Sequence, residues 1–176
     1  MHNVEGGSFT TTLALIKNAV GNGKTSASGA GARSYGGAMD NSSGVAVPEG
    51  VPDSPYLRAI SEFLGVPYVY GGNSKQEGLD CSSLMVVTFE KLGVSLPRTA
   101  DNQALEGTSV PYDESCSNMQ PGDMVFWNEQ GTNEVGHVGM YVGNGYVVHA
   151  PHTGSYVQFA KIWNGDSQRV VAVKRV

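Results

Sequence analysis

The amino-acid composition changes sharply near residue 52, and this change limits where the 176-residue chain can build a packed core. Residues 21–50 contain 18 Gly, Ala or Ser in 30 positions, with few large apolar side chains. Such a segment cannot bury enough apolar surface to offset the conformational entropy lost on ordering. We therefore expect a flexible linker at 21–51 and a single packed domain at 52–176.

The first 20 residues contain a short alternation of apolar and polar side chains, from Gly7 to Ile16, that is typical of a β-strand. One short strand is not stable alone, so we interpret it as the remnant of an upstream domain or as a strand added to a partner's sheet. The N-terminus lacks the basic and apolar regions of a signal peptide. No apolar run reaches membrane-spanning length, so membrane insertion is not expected. These features favour a fragment of a longer protein.

The formal net charge of −5 and the pI near 5.3 argue against nucleic acid as the main partner. The two cysteines, Cys81 and Cys116, lie 35 positions apart and do not form the pattern of a disulfide framework. Cys116 lies in a polar stretch and is expected to be a bystander. Both thiols are therefore expected to be free.

From residue 52 onward, the pattern predicts helices first and strands later. Ser54 or Asp53 as the N-cap and Pro55 at the first position predict a helix that ends at Gly65. The further predicted helices are 82–92 and 100–106, and the predicted strands are 123–127, 137–142, 146–149, 156–159 and 170–173. This order predicts an α+β fold with a central antiparallel sheet of about five strands.

Cys81 falls where a Gly-rich loop meets the apolar-faced helix, in the first helical turn. The unpaired backbone N–H groups and the positive end of the helix dipole favour an anion at this position. The sequence therefore predicts a lowered thiol pKa and a nucleophilic cysteine. The alternative is an inert thiol that behaves as a small apolar side chain.

His137 and His149 lie on two predicted strands that flank the turn at Gly143–Gly145. Side chains alternate along a strand, and these two positions have the same parity, so both histidines are expected on one face of the hairpin. A nucleophilic cysteine needs a base, and the base needs a third group that fixes its tautomer. A structural role for both histidines remains the alternative. Their spacing fits no common zinc-ligand pattern, so no metal is expected.

Three blocks of this sequence resemble the NlpC/p-sixty family of papain-like cysteine peptidases, and they follow the family's order over about 54–176. The blocks are Pro67–Gly72 with Leu79–Ser82, then Leu96–Thr99 with Gln103, then Pro121–Phe126 with His137–Tyr141 and His149–Pro151. Ser83 departs from the pattern, since relatives usually have Gly there.

The resemblance implies a papain-like fold in which the nucleophile begins a helix packed on the sheet. It also implies that Cys81 is the nucleophile, His137 the general base and His149 the residue that orients the base, with no metal or organic cofactor. Tyr68, Asp80 and Ser82 match positions that contact substrate in relatives. Each has a structural alternative: Tyr68 packs, Asp80 caps the helix, and Ser82 hydrogen-bonds its first turn.

The substrate implied by the resemblance is the stem peptide of bacterial peptidoglycan, cut between D-glutamate and the diamino acid through a thioester. This implies an extracellular or cell-wall location. The Thr-rich run at the N-terminus weakly resembles the closing strand of phage-tail baseplate hub proteins, which adds a virion tail as a second setting and a tail assembly as a partner. Two alternatives stay open: an amidase or acyltransferase on the same fold, and a non-catalytic wall-binding module of a phage tail.

Overall fold

The computed structural model describes residues 44–176, which all belong to one compact unit. The predicted strand at 1–20 and most of the predicted linker lie outside the described residues. The last residues of the predicted linker contact the domain, since Asn144 Nδ2 donates to the carbonyl of Glu49 at 2.9 Å. Packing in the structure therefore extends to residues before position 52, and the boundary itself stays a prediction.

Three helices precede most of the strands. They are α1 (Pro55–Ser61), α2 (Cys81–Lys91) and α3 (Ala100–Gln103). Helix α1 begins as predicted, with Pro55 first and the Ser54 side chain accepting from the backbone N–H of Leu57. Helix α3 is shorter than predicted because Leu105 and Glu106 donate to carbonyls three residues back, which tightens the chain into turns.

The strands are β1 (Asn73–Ser74), β2 (Gly78–Leu79), β3 (Thr108–Ser109), β4 (Met124–Asn128), β5 (Val135–Gly143), β6 (Tyr146–His149), β7 (Gln158–Lys161) and β8 (Val170–Arg175). Strands β1 and β2 form a small separate sheet, and the main sheet is antiparallel with the order β3-β8-β4-β5-β6-β7. The α+β prediction is confirmed, with six strands in the main sheet rather than about five. The three strands that the sequence did not predict have two residues each, too short for a periodic pattern.

Both faces of the main sheet are covered, which explains why all five residues of β4 are buried instead of every second one. Helix α2 packs against β5. Trp127, at the end of β4, belongs to a cluster that also contains Val125, Tyr141 and Cys116. Cys116 is therefore a buried core residue, although its neighbours in the sequence are polar. Among residues 44–176, no helix is long and apolar enough to cross a membrane.

Candidate active site

Helix α2 begins at Cys81 because a capping box holds its first turn. The carboxylate of Asp80 accepts from the backbone N–H of Ser83 at 2.8 Å, and the Ser83 hydroxyl accepts from the backbone N–H of Asp80 at 2.9 Å. Ser83, the position that departs from the family pattern, thus stabilises the helix start. The capping box places Cys81 in the first turn, as the sequence predicts.

The predicted lowering of the Cys81 thiol pKa is wrong. Burial raises the pKa of Cys81, and the Asp80 carboxylate beside it adds to the increase. Backbone N–H groups, first that of Val138 and then those of Ser82 and Cys81, lower it only in part. The helix-terminus argument omitted the cost of removing a thiolate from water. In the absence of substrate, Cys81 is therefore a neutral thiol that needs a base.

The two predicted histidines meet in the structure. His137 Nε2 and His149 Nδ1 lie 2.8 Å apart, and the imidazole rings cross at 77°. Both residues are buried, with 7% and 5% of their surface exposed. The backbone N–H of Val138, which follows His137, hydrogen-bonds the sulfur of Cys81. Adjacent residues of β5 therefore contact the thiol, through the Val138 backbone, and supply one of the two imidazoles, that of His137.

The hydrogen bond between the histidines determines which nitrogen can act as a base. His137 Nε2 is engaged with His149, so Nδ1 is the atom left to accept a proton. For this, Nε2 must carry hydrogen and donate to His149 Nδ1, and we assign the tautomers accordingly. His149 then carries its own hydrogen on Nε2, which is buried and has no partner among the described residues. His149 thus fixes the tautomer of His137.

Both imidazoles are neutral at pH 7. Burial lowers the pKa of His137 to about 3, with a smaller contribution from His149. Burial also lowers the pKa of His149 to about 4, with a smaller contribution from His152. His152 itself is exposed. The site therefore combines a protonated thiol with an unprotonated base.

Two indoles pack beside the histidines, and neither was predicted as part of the site. Trp127 and Trp163 stack with ring centroids 4.1 Å apart, and His137 lies 5.6 Å from the first and 5.9 Å from the second. Gly139 makes room for this arrangement, since a Cβ there would lie 3.2 Å from His149 Cβ and 3.5 Å from the Trp127 ring. Trp163 lies outside every predicted strand, so no periodicity marked it.

Arg98 hydrogen-bonds the two residues that flank Cys81 at the start of helix α2, and the sequence did not indicate these contacts. Its guanidinium donates to both carboxylate oxygens of Asp80, at 3.0 and 2.7 Å, and to the Ser82 hydroxyl at 2.8 Å. Burial by itself would raise the pKa of Asp80. The hydrogen bonds from Arg98, Ser83 and Gly71 outweigh burial and hold that pKa below its ordinary value.

The substrate roles of Asp80 and Ser82 stay predictions. The Asp80 carboxylate accepts from five donors, two of which belong to Arg98, so a substrate ammonium would compete with the arginine. Tyr68 is half-buried, and its backbone N–H donates to the Ser155 carbonyl at 2.8 Å. Burial raises the pKa of the Tyr68 phenol, and Cys81 and Asp80 raise it further, which places the phenol near the thiol. Its substrate role is likewise a prediction.

Comparison with known proteins identifies the family to which the chain belongs. The model of the NlpC/P60 family matches residues 65–175, more than half of the chain. The chain belongs to the NlpC/P60 family. The matched range of this NlpC/P60 domain contains all six predicted site residues and confirms the resemblance seen in the sequence.

Curated relatives include cell-wall enzymes. The gamma-D-glutamyl-L-lysine dipeptidyl-peptidase of Bacillus subtilis (strain 168) is 43% identical over 97 residues, which are 54% of this chain and 31% of that protein. The murein DD-endopeptidase MepH of Escherichia coli (strain K12) is 34% identical, over 68% of this chain and 44% of that protein. This chain therefore spans less than half the length of these relatives.

A solved structure agrees with the family assignment. The crystal structure of an NlpC/P60 family protein from Bacillus cereus ATCC 10987 superposes with a TM-score of 0.61 at 26% identity. The superposition covers 71% of this chain and 41% of that one.

Proposed function

We propose that this NlpC/P60 domain is a cysteine endopeptidase that cuts the peptide stems of bacterial peptidoglycan. The observation that carries the proposal is the buried 2.8 Å hydrogen bond between His137 Nε2 and His149 Nδ1, with the Cys81 sulfur hydrogen-bonded to the backbone N–H of Val138, the residue after His137. This bond leaves one nitrogen of a neutral imidazole as a base. The relative named a murein DD-endopeptidase supports the substrate, since murein is peptidoglycan.

In the proposed reaction, the sulfur of Cys81 attacks the scissile carbonyl carbon while His137 Nδ1 takes the thiol proton. The backbone N–H of Cys81 is one donor to the oxyanion that forms. When the C–N bond breaks, His137 returns the proton to the leaving amine, and a thioester remains on Cys81. His137 then deprotonates a water molecule that hydrolyses the thioester, which restores the thiol and releases the acid.

The protonation states favour proton transfer during the attack rather than before it. Burial raises the pKa of the Cys81 thiol and lowers that of His137. A preformed thiolate–imidazolium pair is therefore disfavoured until substrate binds. His149, through its acceptor nitrogen, keeps the His137 proton on Nε2 throughout.

The bond we propose is the one between D-glutamate and the diamino acid. The 43% identical relative, named a gamma-D-glutamyl-L-lysine dipeptidyl-peptidase, supports this choice, whereas the MepH relative is named a DD-endopeptidase. Tyr68, Asp80 and Ser82 are proposed to bind the stem peptide near this bond. An amidase would form a thioester from a different amide bond and hydrolyse it with water, whereas an acyltransferase would transfer the acyl group from the thioester to an acceptor other than water.

Digestion of purified muropeptides followed by mass spectrometry tests the proposal. We expect a cut after D-glutamate with the wild-type domain and no cut with Cys81→Ala. The Cys116→Ala variant is the matched control for loss of a thiol and should cleave normally. Absence of cleavage by the wild type, or equal cleavage by Cys81→Ala, would refute the enzyme proposal.

For the whole protein, we propose an extracellular or cell-wall location, with 1–20 as the end of an upstream domain and 21–51 as a linker. The cell-wall relatives support the location, and the Thr-rich N-terminal run supports attachment to a tail or tail-like particle. Limited proteolysis should cut first within 21–51 and leave the 52–176 domain intact. A gene neighbourhood without tail proteins would refute the tail attachment.

A further inference from the structure

Trp163 is held in the segment between β7 and β8, and its indole lies against both candidate catalytic histidines. The ring centroids are 5.2 Å from His149 and 5.9 Å from His137. One face of the indole stacks on Trp127. The residue is half-buried, whereas Trp127 is fully buried. Trp163 is therefore the outer of the two indoles beside the imidazole pair.

Beyond Trp163 lies an open cavity of about 530 Å³ on the surface. The cavity is lined by Trp163 together with mainly polar residues, among them Asn164, Asp166 and Gln168. Trp163 thus lines an open surface cavity and also lies against the two neutral imidazoles that share a hydrogen bond. Water on the imidazole side would offer competing donors and acceptors to that bond.

We propose that Trp163 is a positioning residue that excludes water from the His137–His149 hydrogen bond and so keeps His137 in the tautomer that can deprotonate Cys81. This inference rests on the proposed function for its kinetic consequence. Its structural consequence, the state of the two imidazoles, does not depend on any substrate.

The segment carrying Trp163 is anchored through its backbone, which makes the side chain separable from the fold. Trp127 Nε1 donates to the backbone carbonyl of Trp163 at 2.8 Å, a bond that any residue at position 163 retains. The indole itself makes one side-chain hydrogen bond, from Nε1 to Gln168 Oε1 at 3.3 Å. Substitution of Trp163 should therefore leave the path of the segment in place.

The titratable groups on the elements around the imidazole pair are few. They are Cys81 on helix α2, Glu129 and Glu134 on the β4–β5 loop, His152 after β6, and Asp166 and Arg169 beside Trp163. Of these, only His152 has a marked effect on the pKa of either imidazole, and burial is the larger cause for both. Loss of the indole should therefore raise both imidazole pKa values toward 6.5 by admitting water.

The kinetic test compares Trp163→Phe with Trp163→Ala in muropeptide cleavage. We expect Trp163→Ala to lower kcat about 3- to 10-fold, the size of one hydrogen bond, with KM nearly unchanged. The acidic limb of its pH profile should move to higher pH, because the neutral base is then lost at a higher pH. Trp163→Phe keeps an aromatic ring over the imidazoles. It should therefore retain most of the wild-type kcat, and the acidic limb of its pH profile should lie at the wild-type pH.

The structural test is an NMR titration of the His137 and His149 imidazoles in the Cys81→Ala background, which needs no activity. The proposal requires a higher pKa for both rings in Trp163→Ala and near-wild-type values in Trp163→Phe. If Trp163→Ala does not fold by circular dichroism, Trp163→Val is judged by the same criterion. Unchanged imidazole pKa values in the folded small-residue variant would overturn the inference, even if the wild type cleaves peptidoglycan. A failure of cleavage with shifted pKa values would overturn only the proposed function.

Discussion

The ion pair between Asp80 and Arg98 offers a sharp stability test, because the chain contains a matched exposed pair. The side chain of Asp80 is 9% exposed and that of Arg98 is 39% exposed. In the comparison pair, Asp53 and Arg58 are each about half exposed, at 50% and 51%. Both pairs join an aspartate to an arginine with two hydrogen bonds, so the pairs differ in burial and in the three further donors, Gly71, Ser82 and Ser83, that Asp80 accepts from.

The magnitude follows from what each substitution removes at position 80. Asn caps a helix about as well as Asp, so Asp80→Asn keeps one oxygen that accepts from Ser83. It removes the negative charge and replaces the other oxygen with an NH2 group that cannot accept from Arg98 or Gly71. Charge-assisted bonds contribute about 1.5–3 kcal/mol, and the partial exposure of Arg98 reduces this to about 1–2 kcal/mol. Asp80→Ala also removes the cap and the last acceptor for Arg98, which brings the loss to about 2–4 kcal/mol.

Urea unfolding followed by circular dichroism measures these losses, with Asp53→Asn as the control that should cost less than about 0.5 kcal/mol. The pKa of Asp80 is lowered in the fold from 3.8. The difference between wild type and Asp80→Asn should therefore be complete above the unfolded pKa and disappear as the pH falls through the folded pKa. Equal losses for Asp80→Asn and Asp53→Asn would refute the reasoning that the more buried Asp80–Arg98 pair contributes more to the free energy of unfolding than the exposed Asp53–Arg58 pair.

Two further predictions concern the imidazole pair. His149→Asn places an amide oxygen where the Nδ1 acceptor lies, so it should retain more kcat in muropeptide cleavage than His149→Ala; equal kcat values would contradict the tautomer assignment. Burial lowers the pKa of His137 to about 3 and of His149 to about 4 from 6.5, so the unfolded chain binds more protons as the pH falls below 6.5. The free energy of unfolding, measured in urea, should therefore fall between pH 6.5 and 4, and a double substitution of His137 and His149 by Asn should flatten this dependence.

The parts of the site that the sequence predicts are those encoded by local patterns. The parity of His137 and His149 about the Gly143–Gly145 turn follows from strand geometry, and the two side chains meet in the structure. The helix start at Cys81 follows from the loop and cap residues before it. Such features depend only on residues a few positions apart in the sequence or on residues that face each other across one hairpin.

The parts that the sequence did not predict depend on distant packing. The raised pKa of Cys81 comes from burial, which no local pattern around the residue reports. Arg98 reaches Asp80 across 18 positions, and Trp163 lies 26 positions after His137 in a segment without periodicity. Side chains that meet only in the folded chain leave no spacing signal, so structure was needed to find them.

The hydrogen bond from Val138 to the thiol has an evolutionary consequence. The donor is a backbone amide, and the β5–β6 pairs begin only at Met140, two residues later. No side-chain replacement at position 138, other than by proline, removes this donor. The lowering of the Cys81 pKa by this backbone N–H therefore depends on where strand β5 stops pairing with strand β6. Mutations in the β5–β6 turn that shift this register would alter cysteine reactivity without changing any residue that contacts the sulfur.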